Sequence, residues 1–392
     1  MSRRGPRDVV IAGGGVVGAA CALALAGRGF DVVLVEPRAP APWTPASPDL
    51  RVYALAHDNA RLFGTIGVWA GVEATRAHAY RRMEVWDAGG GSALRFDADA
   101  LAKRELGWIV EHGLLVDRLW SRLQAAGVDV RCPGALEAVD EGDARISVRL
   151  EDGTRIDTTL LVAADGADSA ARRLAGIDTR ARDYGQSGVV GYIRSERSHE
   201  DTAWQRFLPG GPLALLPCAD GLSSIVWSVP TAEAERLLSL DEAAFADALT
   251  RASGGRLGAL APISVRAAFP LRRQLAATQR AGRVLVLGDA AHVVHPLAGQ
   301  GVNLGLRDVA SLTAVLGDAL DRGARWDAPQ ALARWARARR SENTIAAHAF
   351  ELINDVYSND SVLPVLLRSH LLGIAGRVPP LNRLLWQRAA GG

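Results

Sequence analysis

Three glycines near the start of the chain are spaced to hold a phosphate. Gly13-x-Gly15-x-x-Gly18 follows the apolar run 9–12 and opens an alanine-rich stretch that reaches about Arg28. In a strand–turn–helix the first such glycine permits the tight turn, and the second lets backbone approach a pyrophosphate. The third lets helix and strand pack closely. The phosphate then rests on unpaired amides at the helix N-terminus, where the dipole favours negative charge. A second apolar run, 32–35, ends in Glu36 about twenty residues beyond the triplet, where a carboxylate accepts hydrogen bonds from ribose hydroxyls. The pattern describes a dinucleotide site and at this point leaves FAD and NAD both open.

The elements that must carry this triplet compete with another reading. Arg3, Arg4 and Arg7 precede 19 residues without a charge, 9–27, which imitates an export signal or a membrane span. A lipid-facing helix would gain nothing from Gly13, Gly14, Gly15 and Gly18, whereas a βαβ unit uses them, so the βαβ unit is the better account. The chain has 392 residues, enough for two or three units at about 100–200 residues each. Hydrophobic residues make up 48% and charged residues 22%, which excludes disorder. Net charge is +2, so no bulk field calls for nucleic acid. Cys21, Cys132 and Cys218 are too sparse and scattered for a disulfide framework, a zinc cluster or a dithiol relay, and fit a reducing compartment such as the cytoplasm. No His, Asp or Glu cluster has ligand spacing, so no metal is expected.

Downstream, helical spacing covers 59–69, 116–126 and 232–249. Strand-like runs occupy 83–86, 92–96, 128–131, 144–150, 154–157, 160–163, 189–193, 213–216 and 224–229. An apolar strand at 283–287 leads into a long helix reaching about Leu316. The expected fold is α/β: a Rossmann-like dinucleotide domain with an inserted β-sheet substrate domain and a C-terminal helical region. The dinucleotide domain takes residues 1–80, 101–180 and 271–330. The substrate domain takes the strands in 81–100 and the β-rich 181–270, and 331–392 is the helical region.

Two further motifs narrow the chemistry. Asp165-Gly166, within 161–172, resembles the second motif of single-component flavin hydroxylases, and Gly288-Asp289-Ala290-Ala291-His292 resembles their third. Asp49-Leu50-Arg51, Trp204-Gln205-Arg206-Phe207, the stretches 211–217 and 224–227, and His295-Pro296-Leu297-Ala298-Gly299-Gln300-Gly301-Val302-Asn303 are similar to the ubiquinone-biosynthesis branch of that family. The resemblance covers nearly the whole chain. It implies a monooxygenase that uses FAD, NADPH or NADH, and O2 to hydroxylate a polyprenylated phenol ring through a flavin C4a-hydroperoxide.

Carried over position by position, the resemblance assigns Gly13, Gly15, Gly18 and Glu36 to the ADP half of FAD. Arg51 neutralises phosphate or approaches the flavin, and Asp165 helps hold the cofactor and shape the nicotinamide channel. Asp289 binds the ribityl or pyrophosphate region, while Pro296, Gly299, Gln300, Gly301, Val302 and Asn303 line the flavin ring. Two positions depart from the family: Val116 stands where a polar cofactor contact is usual, leaving Arg118 as a substitute, and His112 stands where an asparagine is expected.

For the substrate, Phe207, Leu213, Leu215, Trp227 and His295 are candidates for a dry prenyl–phenol pocket, with ordinary core packing as the alternative for the apolar ones. No base that would deprotonate the phenol is evident. His292 and His295 flank the third motif, although a lone histidine is more often structural, and His57 has less support still. The stretch 361–392 carries Arg368, Arg377, Arg383 and Arg388 and no acid, which suits either helices packed on the core or a surface held against the inner face of an anionic membrane. A soluble phenol as substrate, and a non-catalytic FAD scaffold within a biosynthetic complex, are the alternatives.

Overall fold

The protein is described by a computed structural model covering residues 6–90, 93–294 and 301–358. Arg7–Ala12 lies inside an eight-stranded sheet, pairing in parallel with Val32–Val35 on one side and Arg155–Ala163 on the other. Val284–Val286 and Asp129–Arg131 extend the parallel set at its two sides. Both faces of these strands are covered, which explains their near-continuous Val, Leu and Ile instead of an alternating pattern. Val16–Ala26 packs on one face between His112–Leu123 and Gly301–Asp321, around a core that includes Ile11, Leu34, Leu119 and Leu312.

The strand Arg155–Ala163 merges two runs that read as separate in the sequence. Burial alternates where it pairs antiparallel with Ile146–Leu150, and is complete from Leu160 onward, where it enters the parallel set. Thr158 bridges the two regimes because its buried hydroxyl finds the carbonyls of Leu160 and Asp8 at 3.0 and 3.2 Å. Elsewhere the chain breaks where one helix was expected. The 59–69 run is His57–Thr65 followed by Trp69–Glu73, parted at Gly67, whose φ of +72° ends the first helix. The 232–249 run is Thr231–Ser239 and Glu242–Ser253, because Asp241 caps the second helix by accepting the Ala244 amide at 2.8 Å.

A nine-stranded sheet is built around the 17-residue strand Thr179–Ser195, which pairs antiparallel with Leu222–Pro230 and Ala267–Ala276. Arg82–Asp87 and Leu94–Asp97 join this sheet from far away in sequence, the former in parallel with Thr202–Leu208. Thr231–Ser239 and Glu242–Ser253 cover one face, burying Leu213, Leu215, Ile225, Trp227 and Phe245. A three-stranded sheet, with Gly107–Glu111 between Val52–Leu55 and His78–Tyr80, completes the set. Among the described residues, no helix is long and apolar enough to cross a membrane.

Candidate active site

A cavity of about 710 Å³ runs from the glycine triplet to the face of the nine-stranded sheet that also packs on the three-stranded one. At one end, Gly13, Gly15, Val16 and Val17 bring in the start of Val16–Ala26, which has no side-chain cap on its first amides. Those free N–H groups suit an anion. Each glycine of the triplet is required for a different reason. Gly13 sits at φ +99°, and a Cβ there would strike the Ala164 backbone. A Cβ on Gly18 would run into the Gly13 carbonyl, so this position keeps helix and strand close. A Cβ on Gly15 would meet nothing within 4 Å; it would project into open cavity. That opening is where a phosphate approaching the backbone needs room, so the residues present fit a dinucleotide such as FAD.

Glu36 lines the same end and accepts the Gly14 amide at 2.6 Å through Oε2, while Trp120 Nε1 donates to the Gly14 carbonyl at 2.7 Å. The turn is thereby fixed from both sides. Arg51 lines the middle of the cavity, its guanidinium 5.8 Å from the Phe269 ring centre and its amide bonded to Asp49 Oδ1 at 2.9 Å.

Asp165 also faces the cavity, but much of its capacity is spent locally. It accepts from the Ser169 hydroxyl and, at 3.0 Å, from the Ala171 amide. Arg172 then ties this second motif to the third, its guanidinium donating to the carbonyls of Ala167 at 3.0 Å and Ala290 at 2.9 Å. Asp289 presents an exposed side chain to the cavity, with protein packed closely around it. Burial raises its carboxyl above the ordinary range, with His292 and Arg51 opposing.

His292 is not available to a substrate. It is 1% exposed, and its Nε2 lies 2.6 Å from Asp308 Oδ2. Asp308 also accepts from the Gly288 amide at 3.1 Å, Arg339 Nε at 2.8 Å and Asn343 Nδ2 at 3.0 Å. This buried cluster pins the third motif to the helix Pro329–Ser358, and single-residue reasoning on the sequence did not find it. Asp308 and Arg339 are ordinary charged residues of two helices until the fold joins them.

Several expected site residues lie elsewhere. Arg118 is six residues along the helix from His112, which turns it away from the cavity, where it pairs with Asp117 and donates to Thr75 Oγ1 at 3.3 Å. Val116 is core. Asn303 is fully buried and structural. It accepts the Ala56 amide at 3.0 Å and Asn59 Nδ2 at 2.7 Å, and donates to the Ala54 carbonyl at 2.8 Å. Gly301 and Val302 do line the cavity, whereas His295, Pro296, Gly299 and Gln300 fall outside the described residues. His57 is bonded to the Glu105 carbonyl at 2.9 Å.

The apolar wall is a correction to the expected one. Leu213, Leu215 and Trp227 point under the helices Thr231–Ser239 and Glu242–Ser253, and Phe207 packs with Val85 and Leu94. The cavity is lined instead by their neighbours of opposite parity, Leu216 and Val226, together with Gly188, Val190, Phe269 and Leu271. In a strand a shift of one residue exchanges the two faces, and the sequence alone did not tell which face the helices would cover.

One His/Asp group hidden by chain separation is His78, His199 and Asp201, whose ligand atoms lie within 4.8 Å of one another. His78 Nε2 lies 3.0 Å from Asp201 Oδ1, and His199 Nδ1 accepts the Asp201 amide at 3.1 Å, while the buried His199 Nε2 has no partner among the described residues.

A parallel sheet with a glycine turn, a cleft lined by three separated motifs and a second sheet at the far end make a site that fits a dinucleotide cofactor. Comparison with known proteins narrows the class. The family described as "FAD binding domain" matches residues 7–342. The chain is 37% identical to the 3-demethoxyubiquinol 3-hydroxylase of Escherichia coli (strain K12), over 98% of this chain and 99% of that one. It is 36% identical to the ubiquinone hydroxylase UbiL of Rhodospirillum rubrum, over 98% of this chain and 89% of the relative. Among solved structures, the p-nitrophenol 4-monooxygenase PnpA from Pseudomonas putida DLL-E4 shares the fold, with a TM-score of 0.77, 19% identity, and 98% of each chain covered. The chain therefore belongs to the FAD-dependent hydroxylase family of ubiquinone biosynthesis, and is an aromatic-ring monooxygenase.

Proposed function

We propose that this monooxygenase hydroxylates a phenol ring bearing a polyprenyl tail, with NADPH or NADH as reductant. The observation that carries the reading is the continuity of the cavity: one space joins the phosphate turn to an apolar sheet face. Gly13, Gly15, Gly18 and Glu36 would hold the ADP half of FAD, and Arg51, Asp165, Asp289, Gly301 and Val302 the remainder. The chemistry supplied by the bound cofactor is transfer of two electrons from the nicotinamide to O2, one oxygen atom entering the ring and the other leaving as water. The protein's own part is placement and dryness. Val190, Leu216, Val226, Phe269 and Leu271 present no hydrogen-bonding side chain to the ring, which suits a greasy substrate and keeps water from the reacting centre. The start of Gly301–Asp321 brings the positive end of a long helix to the cavity, where it favours negative charge developing on a reduced cofactor.

A soluble phenol would leave much of this apolar wall uncovered, which favours the prenylated substrate. The tail 361–392 lies outside the described residues, and its contact with a membrane or a biosynthetic complex remains part of the proposal. The test is an anaerobic titration of the purified protein with NADPH, then NADH, followed by air in the presence of a prenylated phenol. Flavin bleaching and one hydroxylated product per nicotinamide oxidised are expected. Bound flavin that neither pyridine nucleotide reduces would leave only the scaffold alternative.

The parity of the wall gives a sharper check. Leu216→Trp should cut turnover of a long-tailed phenol at least about tenfold by filling the cavity, with flavin content unchanged. Leu215→Ala should instead cost about 2–5 kcal/mol of stability as a core truncation and leave substrate selection alone. Paired turnover assays and urea melts would read both. The reverse pattern would mean that the opposite sheet face holds the substrate.

A further inference from the structure

The cavity wall carries a polar pair to which the reading above gives no task. Tyr53, on Val52–Leu55, and His112, at the start of His112–Leu123, both line the cavity. Tyr53 Oη and His112 Nδ1 are 2.9 Å apart, with the rings edge to face. Burial pushes the Tyr53 phenol up to about 12, so it keeps its proton. Burial, then the Arg51 guanidinium, holds His112 below its ordinary range, with Asp49 opposing, so the ring is neutral at neutral pH.

A neutral imidazole and an intact phenol share one hydrogen bond and have polar capacity left over. If Oη donates to Nδ1, the imidazole keeps its proton on Nε2 as a donor, and Oη, which also takes a hydrogen bond from Arg51, keeps one lone pair as an acceptor. With the proton placed the other way, Oη–H is the donor and Nε2 the acceptor. Either arrangement offers a ligand one donor and one acceptor side by side. No described residue bonds to Nε2, and it is not among the sealed-off polar atoms of the interior, so it faces the cavity.

Such a pair suits a hydroxyl, which both gives and takes a hydrogen bond. It suits a phosphate poorly, because a phosphate only accepts. The hydroxyls of the adenosine ribose already have Glu36 at the far end of the cavity. The Tyr53–His112 pair instead lies near Arg51 and Asp289, both of which act electrostatically on Tyr53. We propose that Tyr53 and His112 work as one unit that receives the hydroxylated ribityl chain between the flavin ring and its phosphates. The proposal rests on the FAD reading and adds to it a pair that includes His112, which stands where the family resemblance leads one to expect an asparagine.

Full-length protein stripped of flavin is titrated with FAD, riboflavin, lumiflavin (which lacks the ribityl hydroxyls) and ADP. Tyr53→Phe and His112→Ala should each weaken FAD and riboflavin about tenfold, as expected for loss of a ligand hydrogen bond, and leave lumiflavin and ADP within about twofold. The double variant should be little worse than either single one, since each change already breaks the unit. His112→Asn, which restores a donor and an acceptor, should recover most of the affinity. Unchanged riboflavin binding, or equal weakening of lumiflavin and ADP, would overturn the proposal while the FAD reading stands. Wild-type protein that takes up no flavin would overturn both.

Discussion

Gly15→Val is expected to fold normally and lose FAD. The backbone at Gly15 has φ −67° and ψ −176°, which any residue adopts, and its missing side chain would meet nothing. Stability should therefore stay within about 1 kcal/mol of wild type. The valine would stand where the cofactor's phosphate must approach the amides of Val16–Ala26, and affinity should fall by at least about 100-fold, or roughly 3 kcal/mol. Gly18→Val is the contrast. Its side chain would collide with the Gly13 carbonyl, and that variant should not fold stably. Circular dichroism melts and flavin-fluorescence titration separate the two outcomes. A yellow, fully loaded Gly15→Val protein would remove the phosphate from this turn and with it the main reason for placing FAD there.

The second large effect lies away from the cavity. Asp308→Asn would keep the side-chain shape but leave the Arg339 guanidinium, 4% exposed, without its buried counter-charge. Breaking a buried pair in this way costs about 3–5 kcal/mol. Because Asp308 also accepts the Gly288 amide, the variant should release flavin at moderate urea concentrations where wild type retains it. The pH dependence has a definite sign. Burial acts to raise the Asp308 carboxyl, but His292, Arg339 and Asn343 together hold it below the ordinary carboxylate range. A carboxyl lower in the folded than in the unfolded chain stabilises at pH above its unfolded value, and that stability is lost as pH falls through the folded value. Wild type should lose stability on acidification below the ordinary aspartate range more steeply than Asp308→Asn does. Urea midpoints across an acid series measure this, and parallel slopes for the two proteins would remove Asp308 as the linked group.

The geometry of the glycine turn was legible in the sequence because its signals are local. A glycine triplet, a strand before it and an acid after the next strand sit within thirty residues, and each glycine proves to have its own steric or conformational reason. The substrate end was not legible to the same degree. Leu215 and Leu216 are identical in type, and only the position of two helices about fifteen to thirty residues later decides which of them faces the cavity. Arg118 failed for a related reason: its charge suits a phosphate, but helix rotation points it at Asp117 and Thr75. The Asp308 cluster unites the third motif with a helix that carries no motif, so no spacing rule finds it. His112 was visible as a departure from the family, yet its meaning depends on Tyr53, 59 positions earlier.

The order of strands in the parallel sheet also bears on how the protein is made. Arg7–Ala12 is synthesised first but sits between Val32–Val35 and Arg155–Ala163, and Val284–Val286 extends the set beyond the latter. The parallel set around the glycine turn is therefore complete only once most of the polypeptide has been made. If cofactor uptake needs the completed sheet, riboflavin starvation should leave a pool of finished, unloaded chains.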